Sequence, residues 1–205
     1  MRKKRKKSGK GSVYEREICK KLSLWWTDGV RDDIYWRTAS SGGRATARKK
    51  MGKSTVGQYG DVQATDPIGK PLTDLCTIEI KRGYTSETFA NLIERHQNPK
   101  VKECLYERFI KQATDEKIQA RTPYWLLIVK RNAREPIVLM SYRFYRQLGY
   151  DFIPEARLTY HINEEDFNEV FVCLLEDFLV YVQPEDIKEI WKKITARKKK
   201  KKIRQ

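Results

Sequence analysis

The patterning of the chain predicts an α/β fold, a mixed central β-sheet flanked by helices, and three observations carry that prediction. Residues 12–26 repeat apolar side chains at helical spacing, through Val13, Ile18, Leu22 and Trp25 or Trp26. Residues 124–130 (YWLLIVK) form a short unbroken apolar run, as expected of a strand covered on both faces. Between them, Thr77-Ile78-Glu79-Ile80-Lys81 alternates polar and apolar residues, as a half-buried strand does.

In chain order, Gly11-Ser12 opens the first helix, with Ser12 as N-cap and Glu15 three residues on, the capping-box spacing. A short strand follows at 34–38, then a polar loop over 39–59. Strands are expected near 60–65 and 75–81, separated by Asp66-Pro67-Ile68-Gly69-Lys70-Pro71, which is dense in turn signals. Gly83 and Ser86/Glu87 open a helical stretch that Pro99 interrupts, and a stronger helix spans about 100–119. A further strand lies at 137–140. Beyond 141 come a short helix, strands at 157–162, 170–175 and 178–182, and a helix from Pro184, at its first position, to about residue 196. The expected organisation is a disordered basic tail over 1–10, a core over 11–141, an α+β extension over 142–196 packed on it, and a second disordered basic tail over 197–205.

The formal charge of +16 belongs mostly to the two ends. Residues 1–10 and 197–205 each carry seven cations and no acid, which leaves the stretch between them at +2. Such runs attract polyanions, nucleic acid or an anionic membrane, and also serve as localisation signals or solubilising tails. No apolar run reaches the length of a membrane span, and the basic start lacks the apolar stretch of a signal peptide. Cys19, Cys76, Cys104 and Cys173 are scattered, without a C-x-x-C pair, and read as reduced thiols of an intracellular protein.

The chemistry is concentrated at Asp61 and at Glu79-x-Lys81. On a strand, Glu79 and Lys81 share one face while Ile78 and Ile80 share the other. A hairpin-like pairing would bring the Asp61 carboxylate beside that of Glu79, with an ammonium next to both. Two carboxylates and a lysine at a sheet edge form a hard-oxygen site suited to a divalent cation acting on a phosphodiester. Each piece alone has a plain reading: a surface charge pair for Glu79 and Lys81, turn chemistry for Gly60-Asp61, a cap for Glu15. The segment 37–53 carries Arg37, Arg44, Arg48, Lys49, Lys50 and Lys53 with no acid. It reads either as a solvated loop or as a contact for the DNA backbone, and its scarcity of aromatics favours phosphate over base contacts.

The ordered set Glu15-Arg16, Arg37, Ser40-Ser41-Gly42, Asp61 and Glu79-x-Lys81 resembles the PD-(D/E)xK nuclease superfamily, and within it the Holliday-junction resolvases of archaeal and phage type. The likeness covers residues 11–131. It implies a restriction-endonuclease-like core and an Mg²⁺-dependent endodeoxyribonuclease, with Mn²⁺ able to substitute and no small-molecule cofactor. By position, Asp61, Glu79 and the Ile80 carbonyl would hold the metal, and Glu15 would help directly or through water. Lys81 would orient or deprotonate the attacking water and stabilise charge on the phosphate. Arg37, Ser40 and Ser41 would meet the DNA backbone.

A resolvase cuts two strands symmetrically, so the likeness also implies a homodimer acting on branched DNA. A duplex-cutting restriction-like or repair nuclease, and a non-catalytic nucleic-acid-binding or packaging protein, are the alternatives. Three departures stand out. Gly60 replaces the usual proline, the stretch from Ser41 to Asp61 is longer than in compact resolvases, and residues beyond 141 have no counterpart there. His96 and His161 belong to no zinc or HNH pattern, and Gly52-Lys53-Ser54 lacks the preceding glycine of a P-loop.

Overall fold

The structure is a computed structural model that describes residues 9–38, 59–94, 103–149, 155–161 and 167–203. The first helix, α1 (Lys10–Trp26), starts from Gly9 as N-cap and not from Ser12. Ser12 lies in its first turn and its hydroxyl donates back to the Gly9 carbonyl at 2.9 Å, which frees Glu15 from any capping role. Tyr14, Ile18, Cys19, Leu22 and Trp26 form the buried stripe. Val13, expected in that stripe, sits one residue round the helix and is 45% exposed.

The strand after α1, β1 (Tyr35–Arg37), pairs antiparallel with β2 (Val62–Ala64), Tyr35 opposite Ala64. The expected hairpin between β2 and the strand after it does not form. The turn-rich segment folds as a 3-10 turn, Pro67–Gly69, and a short helix, α2 (Lys70–Leu75), which carry the chain to a different sheet. That sheet has five strands. β3 (Cys76–Arg82) lies at its edge and pairs in parallel with β4 (Tyr124–Lys130). β5 (Ile137–Ser141), β7 (Phe167–Leu174) and β6 (Ala156–His161) follow outward in antiparallel register. Residues beyond 141 therefore supply two of the five strands.

Joining β3 to a parallel neighbour requires a crossover, which is made by the short α3 (Ala90–Ile93) and the longer α4 (Leu105–Ala120). The latter starts five residues later than expected, where the Cys104 N–H donates to Glu107 at 2.7 Å. α5 (Tyr142–Gln147) is capped by the Ser141 hydroxyl, which accepts from the Phe144 N–H. The strand expected at 178–182 is instead α6 (Leu175–Tyr181). Leu175, Phe178 and Val182 are buried at helical spacing, while Val180 and Tyr181 are exposed, so the period is near 3.6 and not 2. The last helix, α7 (Pro184–Ile203), continues past residue 196, and the basic run from Arg197 is helical in place of the expected disordered tail.

Apolar side chains fill both faces of the sheet. Tyr14, Ile18 and Leu22 of α1 pack with Ile78, Ile80, Leu126 and Ile128 on one face. Phe109, Ile110 and Ala113 of α4 pack with Leu127, Val129 and Leu139 on the other. Strand alternation thus sends Ile78 and Ile80 into the first core and turns Glu79 towards α4. The four cysteines are free thiols, and Cys19, Cys76 and Cys173 are buried.

Candidate active site

Asp61 is placed by its backbone. Its N–H donates to the Ile78 carbonyl at 2.7 Å, and its carboxylate accepts from the Ile80 N–H at 2.8 Å. Two bonds to alternate residues of β3 lock the aspartate across the free edge of that strand. Because β3 pairs with β4 on its other side, the Ile80 carbonyl points to the same edge as its N–H, the side on which Asp61 sits.

Gly60 makes this approach possible. Its φ is +71°, and a Cβ there would lie 2.8 Å from the Ile78 carbonyl oxygen. A proline, with φ fixed near −65°, could not take this conformation, and it would also remove an N–H that is in use. The Gly60 N–H donates to Glu116 at 2.7 Å. The departure from the superfamily's usual proline therefore has a local cause.

Glu79 is 1% exposed and Asp61 6%. The Lys81 ammonium donates to Glu79 Oε2 at 2.7 Å, confirming that the two share a face of β3. Two polar side chains of α4 complete the arrangement. Gln112 Nε2 donates to Glu79 at 2.9 Å and to Glu116 at 3.0 Å. Neither Gln112 nor Glu116 figures among the residues the sequence points to. Their signal is a pair of polar residues four apart, in phase with the buried Phe109, where an apolar stripe would continue.

The electrostatics follow from burial. Loss of hydration pushes the Asp61 carboxyl up to about 6, against the pull of Lys81 and of the Ile80 N–H. Glu79 is raised well above the carboxylate range, by burial first and by the nearby Asp61 charge second. For Glu116 burial works in the same upward sense, yet hydrogen bonds from Glu79, Gln112 and Gly60 hold it below its ordinary value. The two carboxyls of the Glu79–Glu116 pair are thus shifted in opposite directions, Glu79 up and Glu116 down. Burial alone would lower the Lys81 ammonium, but Glu79 and Asp61 outweigh it and keep the group charged.

Glu15 and Arg37 stand at the margin of this cluster. Arg37 Nε donates to Glu15 Oε2 at 2.7 Å, so the arginine expected to face DNA is joined to the acid expected to help a metal. The Glu15 charge nevertheless acts on Asp61 and raises its carboxyl further. Among the described residues, no three acidic, histidine or cysteine side chains are gathered in metal-binding geometry. Ser40, Ser41, Arg44, Arg48, Lys49, Lys50 and Lys53 lie outside the described residues. No described helix is long and apolar enough to cross a membrane.

The family model described as "Phage putative PDDEXK endonuclease" matches residues 6–189, most of the chain. The chain belongs to that family. As a PDDEXK protein it has the restriction-endonuclease-like α/β fold, and the expected superfamily and the nuclease class are both supported by the match. The matched span includes the residues beyond 141 that lack a counterpart in compact resolvases, and those are the residues that extend the central sheet. No curated protein and no solved structure matches.

Proposed function

We infer that this PDDEXK protein is a divalent-metal-dependent endodeoxyribonuclease of a phage-infected cell, using Mg²⁺ or Mn²⁺ and working as a homodimer on branched DNA, four-way junctions above all. The observation that carries the metal-dependent reading is the pair of buried carboxylates, Asp61 and Glu79, held at one strand edge with their burial cost unmet by the protein around them. A bound divalent cation would meet that cost, and hard oxygen donors suit it. Asp61, Glu79 and the Ile80 carbonyl are the groups that would hold the ion, with Glu15 beside them. When bound, the ion supplies Lewis acidity and an activated water.

The chain's own residues do the rest. The charged Lys81 ammonium, on the same strand face as Glu79, stabilises negative charge that develops on the phosphate and orients the attacking water. Gln112 fixes the Glu79 carboxyl group through its 2.9 Å hydrogen bond and is itself bonded to Glu116. A carboxyl group binds a cation in its ionised form, which burial opposes at Glu79 and a bound cation would favour. The preference for branched DNA rests on the Glu15-Arg16, Arg37 and Ser40-Ser41-Gly42 likeness to resolvases.

The test is cleavage of labelled junction, flap, duplex and single-stranded DNA with Mg²⁺, beside Asp61→Asn, Glu79→Gln and Lys81→Ala. Preferential cutting of the junction, abolished by each substitution, is expected. Inert wild-type protein, or variants that cut as well as wild type, sinks the nuclease reading, and equal cutting of duplex sinks the junction preference. Sedimentation of the free protein as a monomer would sink the dimer.

A further inference from the structure

Beside the Asp61 and Glu79 cluster, along β3, lies a second feature that the cleavage chemistry does not use. A cavity of about 910 Å³ runs between β2, α2, the end of α4 and α7. Its floor includes Thr77, whose hydroxyl shares a hydrogen bond of 2.8 Å with that of Thr122. Thr77 precedes Glu79 by two residues on the same face of β3, so the cavity starts about 7 Å along the strand from the carboxylate cluster.

Its walls are fixed. Trp191 Nε1 of α7 donates to Asp74 of α2 at 3.0 Å, and Trp191 and Ile194 pack against the main core. Its charge is one-sided. Lys70, Arg121 and Lys198 line it from three different elements, all three are exposed, and Asp74 is the one carboxylate among the described lining residues. Asp74 is engaged by Trp191, and none of the three cations forms an ion pair among the described residues. The excess continues round one end. Arg143 and Arg197 both act on Tyr124, which pairs with Cys76, and Arg143 acts on Lys117.

We propose that this groove is the track of one DNA strand's sugar–phosphate backbone as it leaves the scissile phosphate, with Lys70, Arg121 and Lys198 each meeting a phosphate. Unpaired cations on fixed walls are what a polyanion needs, since each contact releases a condensed counterion without first breaking an internal ion pair. The basic end of α7 is then part of the folded binding face, its helical geometry holding Lys198 over the groove. Contacts of this kind position the substrate and carry no base sequence. The proposal rests on the nuclease reading for its substrate, but its readout does not.

The experiment compares two triple variants of the full chain, both in the Asp61→Asn background so that the DNA stays intact. The groove variant is Lys70→Ala, Arg121→Asn and Lys198→Ala; asparagine suits position 121, whose φ is +58°. The control is Lys20→Ala, Lys21→Ala and Lys188→Ala, which removes the same charge from cations already paired with Asp32, Glu176 and Glu185. Fluorescence anisotropy with labelled junction and linear duplex is followed across salt concentration.

The groove variant should lose about 2–3 from the slope of log affinity against log salt, close to 0.9 per phosphate. The control should lose well under 1. In the active background, the groove variant should raise KM and leave kcat at saturating DNA unchanged. Equal slopes for the two triple variants overturn the groove. Wild-type protein that cuts nothing while the groove variant still loses slope overturns the nuclease reading and leaves the groove standing.

Discussion

Replacing Asp61 by asparagine should stabilise the protein while destroying its activity, and the size of the gain can be worked from the site. Moving the carboxyl from its ordinary 3.8 to about 6 is a cost to the ionised native state of about 3 kcal/mol, at about 1.4 kcal/mol per tenfold. Asparagine removes the charge but keeps an oxygen that can accept from the Ile80 N–H, the bond that holds the residue at 2.8 Å. For a chain of this size about 3 kcal/mol corresponds to about 6–12 °C in Tm.

The sign with pH follows. Because the folded-state value is raised, the native protein holds a proton that the unfolded chain has released between pH 3.8 and about 6. Asp61 therefore contributes most favourably below that window, and wild-type stability falls as pH rises through it. The gain from Asp61→Asn should vanish near pH 4 and be complete above about pH 7. Differential scanning fluorimetry in chelator from pH 4 to 8 measures this, and adding Mg²⁺ should raise the Tm of wild type only. An Asp61→Asn protein that melts at or below wild type at pH 8 without metal would refute the unmet burial cost. One that still gains Tm from Mg²⁺ would refute the assignment of Asp61 as a ligand.

Other substitutions probe the neighbours. Gly60→Ala must adopt a φ of +71° against a carbonyl 2.8 Å away, and should cost about 2–4 kcal/mol in urea unfolding. Gln112→Ala, which takes a 2.9 Å donor from Glu79, and Glu116→Gln should each lower cleavage about 10- to 100-fold and shift the Mg²⁺ midpoint, with DNA affinity unchanged. Arg37→Ala leaves the largely buried Glu15 without its 2.7 Å partner and should cost about 1–3 kcal/mol in chemical denaturation, a loss that Arg37→Lys restores in part. Lys81→Met should abolish cutting and leave junction binding intact by gel shift, since the proposed role of the ammonium is to act on charge that develops in the reaction.

The residues that carried the sequence reading were those whose signal is local. Alternation in Thr77–Lys81 and the unbroken run of β4 are set by neighbours within a few positions, and both strands appear where that pattern puts them. The nearness of Asp61 to Glu79 was legible, but its means was not. It comes from two hydrogen bonds across a strand edge after a helical detour through α2, and not from a hairpin. Gln112 and Glu116 carried only a faint signal, their phase with Phe109, because two polar residues on a helix normally face water. Only the fold shows that this face looks onto Glu79. Residues 178–182 misled because Phe-Leu-Val-Tyr-Val is strand-like by composition, whereas burial at Leu175, Phe178 and Val182 fixes a helix. The place of β7 beside β5 depends on a long-range pairing that no local pattern encodes.

An edge strand is normally a hazard, since its open row of amide and carbonyl groups invites another chain to add on. Here the open row belongs to β3, the strand that carries Glu79 and Lys81, and its cover is Asp61 itself, bonded to Ile78 and Ile80. The residue proposed to hold the metal is thus also a cap against intermolecular strand addition. Truncation to alanine would remove the side-chain half of that cap, exposing the Ile80 N–H to a second molecule, whereas asparagine would keep it. Self-association that grows with concentration should therefore separate Asp61→Ala from Asp61→Asn, two variants that the proposed metal role predicts to be equally inactive.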